Sequence, residues 1–314
     1  MVDTHRPLPD AVRPRRSGGR ALAGDAGDLA PLVTRLLIDS HLHVWERARN
    51  PQPWIDPATM SVIDHDFDPD KAVTELRMNS VDGCVVVQCV NSPGETFDLL
   101  AAAASISPIL GVVGWIDLQA DVAAQLDALR AAPGGAHLVG IRHVTTMESD
   151  DDWLSRSDVV RGLTSLARAG VPFDVVVEPR QLSLVTTLAQ SIESVTFVLD
   201  HLGNPPIISE NLTQWAADLT ALAACENVVA KVSGLITNDD WQHWTVQRLR
   251  PIVDHALETF GPSRLMFGSD WPLAELAGGY RPWKNAYLQL TEGLTSVEKA
   301  AIDGENVSRV YGLQ

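Results

Sequence analysis

The feature of this sequence that most limits its fold is a recurrence. Eight short apolar runs, rich in Val, Ile and Leu, alternate with longer segments of helical spacing from Leu36 to the C-terminus. The runs are LLIDSHLHVW (36–45), DGCVVVQCV (82–90), ILGVVGWIDL (109–118), LVGIRHV (138–144), PFDVVV (172–177), VTFVLDH (195–201), VVAKVSGL (228–235) and RLMFGSDW (264–271). Most are nearly continuous in apolar residues rather than alternating, which is how parallel strands read when both faces are covered. Between them, DPDKAVTELRMNS opens with Asp68 at an N-cap and Pro69 at the first helical position. RGLTSLARAG closes on Gly170, a C-terminal stop.

Eight strand–helix units match an α/β fold of the (β/α)₈ TIM-barrel type, which typically takes about 250 residues. A doubly wound open sheet shares the alternation, but no G-x-G-x-x-G follows the first run, so a dinucleotide-binding version has no support. The expectation is a single barrel domain over 36–314. Residues 1–35 are rich in Arg, Pro, Gly and Asp and lack aromatics, so they read as a disordered tail.

Net charge is −16 and no long Lys/Arg run interrupts it, which argues against nucleic acid or an anionic membrane as partner. There is neither a signal-like apolar run after the basic segment nor a stretch of eighteen apolar residues, so a soluble, cytoplasmic protein is expected. Cys84, Cys89 and Cys225 form no C-x-x-C pair, which fits a reducing compartment and disfavours a thiolate metal site. Oligomeric state is open, a homo-oligomer included.

In such a barrel the active site lies at the C-terminal ends of the strands. Five of the eight runs finish there in titratable groups: His41 and His43, Arg142 and His143, His201, Lys231, and Asp270. His41 and His43, one residue apart on a strand, point the same way. Singly, each residue has a plainer role. His201 can bond a loop carbonyl, Asp270 can cap the following segment, and Arg142 can pair with a carboxylate such as Asp174. Lys231, amid strand apolars, must find a partner or an exit to water. Asp39 reads as lying on the face of His41, one layer deeper, where a carboxylate can orient an imidazole. His5, His65, His137, His243 and His255 read as structural or solvated.

Taken in order, IDSHLHVW, GVVGWIDL, LVGIRHV, VLDHLGNP, KVSGL and LMFGSDWP, with VVVQ…ET at 85–96, resemble the amidohydrolase superfamily. The branch they resemble is that of sugar-lactone hydrolases typified by L-fuconolactonase and L-rhamnonolactonase. The resemblance implies a barrel with H-x-H on its first strand and an Asp on its eighth. Carried over, His41, His43, His201 and Asp270 form the catalytic constellation and the ligands of one divalent metal, zinc or manganese, with no organic cofactor. Arg142 stands where binuclear members carry a bridging carboxylated Lys or a Glu, and the fifth strand lacks its His, so at most one metal is implied.

A small-molecule lactone is the implied substrate. Asp270 is then the general base for water, and the imidazoles or a metal polarise the carbonyl. Arg142, His143 and Lys231 are expected to bind substrate oxygens, and Trp115 and Trp271, beside Trp45, to offer ring faces. Two alternatives are carried: a metal-dependent decarboxylase of an aromatic acid, and a non-catalytic barrel.

Overall fold

A computed structural model describes Met1 and residues 36–313; the expected tail, Met1 apart, lies outside the described residues. Each of the eight apolar runs contains a strand: β1 (Ile38–Leu42), β2 (Gly83–Val87), β3 (Ile109–Gly114), β4 (Leu138–Val144), β5 (Phe173–Val176), β6 (Phe197–Leu199), β7 (Val228–Val232) and β8 (Leu265–Phe267). They form one sheet in sequence order, and every neighbouring pair is parallel. β1 also meets the segment after β8: His43 N donates to Trp271 O at 2.7 Å, and Asp270 N donates to His41 O at 2.8 Å. The sheet therefore closes into a (β/α)₈ barrel, and the open-sheet competitor is excluded.

One helix follows each strand: α1 (Pro69–Met78), α2 (Pro93–Ala103), α3 (Val122–Ala131), α4 (Ser157–Arg168), α5 (Leu182–Ser191), α6 (Thr213–Ala223), α7 (Val246–Phe260) and α8 (Tyr280–Leu290). Local chemistry sets their ends. Asp68 accepts from Lys71 N at 2.9 Å with Pro69 at the first helical position. Gly170 stops α4 at a φ of +66°, where a Cβ would be strained. Two short helices, α9 (Ser296–Ala300) and α10 (Asn306–Tyr311), follow the eighth unit. None of the described helices is long and apolar enough to cross a membrane.

The core has two layers. Outside the sheet, Leu42, Ile141 and Phe173 pack against Leu100, Leu163 and Ile252 of the helices. Inside the barrel, Ile38, Val85, Val113, Val198, Val229 and Met266 form a second cluster, closed by Val307 and Tyr311 of α10. Ideal β geometry places Ile38 and Leu42, four residues apart, on one face. Here they lie in different layers, because the β1–β2 register shifts between Asp39 and Leu42. The irregularity turns His41 into the barrel while Asp39 faces outward to Tyr280 of α8.

Candidate active site

His41 and His43 keep to one face. Their Nε2 atoms are 3.1 Å apart and the rings meet edge to face. His43 Nδ1 lies 2.7 Å from the Val87 carbonyl, which can only accept, so Nδ1 carries the proton and Nε2 offers a lone pair. His201 stands at the end of β6, where His201 and Leu202 take φ values of +53° and +52° in succession. That left-handed turn aims its ring back over the barrel mouth, with Nδ1 2.9 Å from Ser233 Oγ. Gly234 beyond β7 makes room: a Cβ there would lie 2.5 Å from His201 Nδ1.

Asp270 follows β8 at a φ of +58°, sparsely populated for any residue with a side chain. Its backbone is held by the bond to His41 O, and the neighbouring Ser269 N donates to Asp39 Oδ1 at 2.8 Å. The result is a carboxylate oxygen, Oδ1, that is buried, accepts no hydrogen bond, and faces three imidazoles. It lies 3.4 Å from His43 Nε2, 3.8 Å from His41 Nε2 and 4.0 Å from His201 Nε2.

Below these groups is a charged layer that the sequence reveals only in part. Asp200, immediately before His201, is fully buried. Its Oδ1 lies 3.2 Å from His41 Nδ1 and 3.0 Å from Lys231 Nζ, while Oδ2 accepts from Arg142 Nη1 at 3.1 Å. Burial works against the charge on Asp200, but Lys231, His41 and Arg142 outweigh it and hold the carboxyl well below the usual carboxylate range. Burial pushes Asp174 the other way, up to about 6, although Lys231 lies against it. Burial also lowers His41 well below the ordinary imidazole range, with Asp200 opposing, and it lowers His43, with Asp270 opposing. Both rings are therefore neutral at pH 7, the state in which an imidazole nitrogen can ligate or accept.

A cleft of about 260 Å³ opens above the constellation, lined by His43, Arg142, His201 and Asp270 beside Trp54, Met147 and Leu273. Several sequence expectations need correction here. Lys231 is not a substrate ligand; it is fully buried inside the barrel between Asp174 and Asp200. His143 alternates with Arg142 on β4 and so faces outward, stacked on Trp153 at 3.7 Å, with Trp115 Nε1 donating to its Nδ1 at 3.0 Å. His143 and Trp115 thus anchor the loop after β4 rather than line the cleft. Trp271 turns away too, against Phe67 at 5.2 Å, with its Nε1 donating to Glu275.

Trp45 donates to the His65 carbonyl and packs on Trp54, leaving Trp54 as the indole in the cleft. Arg142 does line the cleft, although Asp200 and the Gln88 carbonyl engage its guanidinium. Asp39 touches no imidazole; it accepts from His41 N, Ser269 N and Tyr280 Oη, tying β1 to β8.

Reading the strand ends alone misses Asp200, Trp54 and Glu95. The signal for Asp200 is charge balance, since two cations on apolar strands, Arg142 and Lys231, require more than the one carboxylate of Asp174. Glu95, in the first turn of α2, accepts from Cys89 N and Val90 N at 2.9 and 3.0 Å and so holds the loop after β2. Burial raises its carboxyl to about 7 from an ordinary 4.5. A raised folded-state pKa gives stability that is complete below the unfolded pKa and lost as pH rises through the folded one. Glu95→Gln keeps an oxygen for both amides and has no charge to bury. Relative to the parent chain, its unfolding free energy in urea is expected to gain about 2.5 kcal/mol between pH 5 and pH 8. A difference that does not change with pH would contradict this account of Glu95.

The donor set fits a divalent ion. Two groupings of potential ligand atoms occur among the described residues, His41–His43–Asp270 and His41–Asp200–His201. Donors around a four-coordinate ion with bonds near 2.1 Å stand about 3.4 Å apart. The orphaned Asp270 Oδ1, with separations of 3.4, 3.8 and 4.0 Å to the Nε2 atoms, is close to that arrangement. All are nitrogen and oxygen donors, suited to zinc or manganese.

Comparison with known proteins agrees with this geometry. The sequence profile of the amidohydrolase family matches residues 38–313. An L-fucono-1,5-lactonase of Burkholderia multivorans is 35% identical over 289 residues, covering 88% of this chain and 96% of that protein. A second L-fucono-1,5-lactonase, from Burkholderia ambifaria, is 34% identical over 77% of this chain and 82% of its own length. Among solved structures, a B. multivorans amidohydrolase with bound zinc superposes with a TM-score of 0.83 at 34% identity, covering 89% of this chain and all of that one. Matched from β1 to the end of the last helix, this chain is a hydrolase that belongs to the amidohydrolase family.

Proposed function

We propose that this protein opens the lactone ring of a sugar acid or a related carboxylic acid by attack of water on the carbonyl carbon. The observation that carries the reading is the buried, unpartnered Oδ1 of Asp270 facing the Nε2 atoms of three histidines. A carboxylate so placed accepts a proton from a water held between it and the substrate. Oxygen–carbon bond formation gives a tetrahedral oxyanion; its collapse breaks the ring carbon–oxygen bond, and the departing alkoxide recovers the proton from Asp270. One water is consumed and one hydroxy acid is formed.

The Arg142 guanidinium and the His201 ring, both at the cleft, are the donors available to the oxyanion. His41, His43, His201 and Asp270 would hold a zinc or manganese ion, which when bound polarises the carbonyl. Trp54, Met147 and Leu273 give the cleft an apolar wall for the carbon face of the ring. The similarity to two L-fucono-1,5-lactonases supports a sugar lactone over other cyclic esters.

The test is acid release, followed with a pH indicator, from L-fucono-, L-rhamnono- and galactonolactone, with and without a chelator. Ring opening well above the spontaneous rate with at least one of the three is expected, and the chelator arm decides whether an ion takes part. No acid release from any of them, with carbon dioxide released from an aromatic acid instead, would replace this reading by decarboxylation.

A further inference from the structure

The loop after β4 brings two residues to the cleft, Thr146 and Met147. Both are exposed, and the chain is pinned on either side of them. Upstream, Asn91 clasps the last residue of β4. Val144 N donates to Asn91 Oδ1 at 2.9 Å, and Asn91 Nδ2 donates to Val144 O at 3.2 Å. Thr145 Oγ1 donates to the Val176 carbonyl of β5 at 2.5 Å. Downstream, Glu148 N donates to Thr145 O at 3.0 Å, and Glu148 Oε1 lies 2.8 Å from His143 Nε2.

The proton in that last contact is located by elimination. An indole N–H can only donate, and Trp115 Nε1 gives its proton to His143 Nδ1 at 3.0 Å. Nδ1 therefore carries the lone pair. The ring must keep a proton, so that proton sits on Nε2 and is donated to Glu148. Asn91 Nδ2, 3.1 Å from the same nitrogen, is an amide NH₂ and cannot accept it. Burial lowers the His143 imidazole from its ordinary range, with Glu148 opposing, in keeping with a single ring proton. The ring also stacks on Trp153, with centroids 3.7 Å apart and planes 16° from parallel. One buried imidazole thus joins the near and far parts of the loop.

We propose that Glu148 is a positioning residue: anchored on the His143–Trp115 pair, it holds Met147 against the bound lactone and so sets substrate affinity. The Met147 thioether has neither a proton to transfer nor a charge to offer the oxyanion. Its contact is worth as much before the transition state as in it, so its loss falls on KM rather than on turnover. The effect on KM rests on the hydrolytic reading given above; the placement of the loop does not.

Glu148→Ala removes the acceptor, and Glu148→Gln keeps an oxygen for the His143 proton. Asp151→Ala is the control, since it breaks an exposed ion pair of the same loop, with Arg180, away from the cleft. Each protein is assayed for lactone opening and for hydrogen–deuterium exchange of the Thr146 and Met147 amides. In Glu148→Ala, KM should rise roughly tenfold with the turnover number within twofold. Exchange of the two amides should quicken in the same variant. Glu148→Gln and Asp151→Ala should stay within twofold of the parent chain in KM, with exchange unmoved.

A KM within twofold of the parent in Glu148→Ala, or an equal rise in Glu148→Gln or Asp151→Ala, would overturn the inference. If the parent chain opens no lactone, the hydrolytic reading fails by itself. Amide exchange then decides this one, and unchanged exchange in Glu148→Ala would overturn it.

Discussion

Asp270→Asn is expected to lower the turnover number for lactone opening by roughly 10²–10⁴-fold, the range for loss of a general base, with KM changed only a few-fold. The amide fills the same space and retains an oxygen toward the imidazoles, but it cannot take a proton from water at neutral pH. The backbone bond from residue 270 to the His41 carbonyl is also unaffected, so the closure of β1 on β8 persists. Initial rates on a responsive lactone, with a melting curve as a check on folding, give the result. A variant that keeps a tenth or more of the parent rate would remove Asp270 from the role of base.

The second large effect is on stability. Lys231→Met leaves Asp174 and Asp200 inside the barrel without the cation that bridges them at 2.5 and 3.0 Å. Removing one partner of a buried ionic cluster costs about 3–5 kcal/mol, because the remaining charge stays desolvated. Unfolding in urea at pH 8 should show a loss of that size. At pH 5 the loss should be smaller, since an unbridged buried carboxyl takes up a proton there more readily. Adding Asp174→Leu to Lys231→Met should recover part of the loss, because one stranded carboxylate is then gone. Equal stability of Lys231→Met and the parent chain would contradict the bridging role.

Much of this molecule is legible in its sequence. Continuous apolar runs, each ending in a turn and followed by a helical period, specify covered parallel strands, and all eight strands fall where the pattern puts them. That titratable groups gather at one end of the strands is legible too, because polar groups at the ends of apolar strands are costly unless they serve a common site. The choice of His41, His43, His201 and Asp270 among them comes from the family resemblance.

What escapes is direction. On β1 a one-residue register irregularity reverses Asp39, and no periodicity argument anticipates a bulge. On β4, the sequence offers both Arg142 and His143 to the substrate, yet adjacent strand residues face opposite sides, so only one can serve. Lys231 does need partners, as its apolar surroundings imply, but Asp174 and Asp200 meet it only through the closure of the barrel. Trp115, Trp153 and Trp271 lie near the strand ends in sequence and turn outward in space. Trp54, on the loop after β1, reaches the cleft from a segment with no periodicity to read.

The most direct test of the central claim is to incubate the purified protein with L-fucono-1,5-lactone in H₂¹⁸O and follow the fate of the oxygen. Water attack on the carbonyl predicts one ¹⁸O in the product carboxylate and none in the released ring hydroxyl, read by mass spectrometry during enzyme-accelerated turnover. An ¹⁸O in the hydroxyl, or no product beyond the spontaneous yield, would contradict the account.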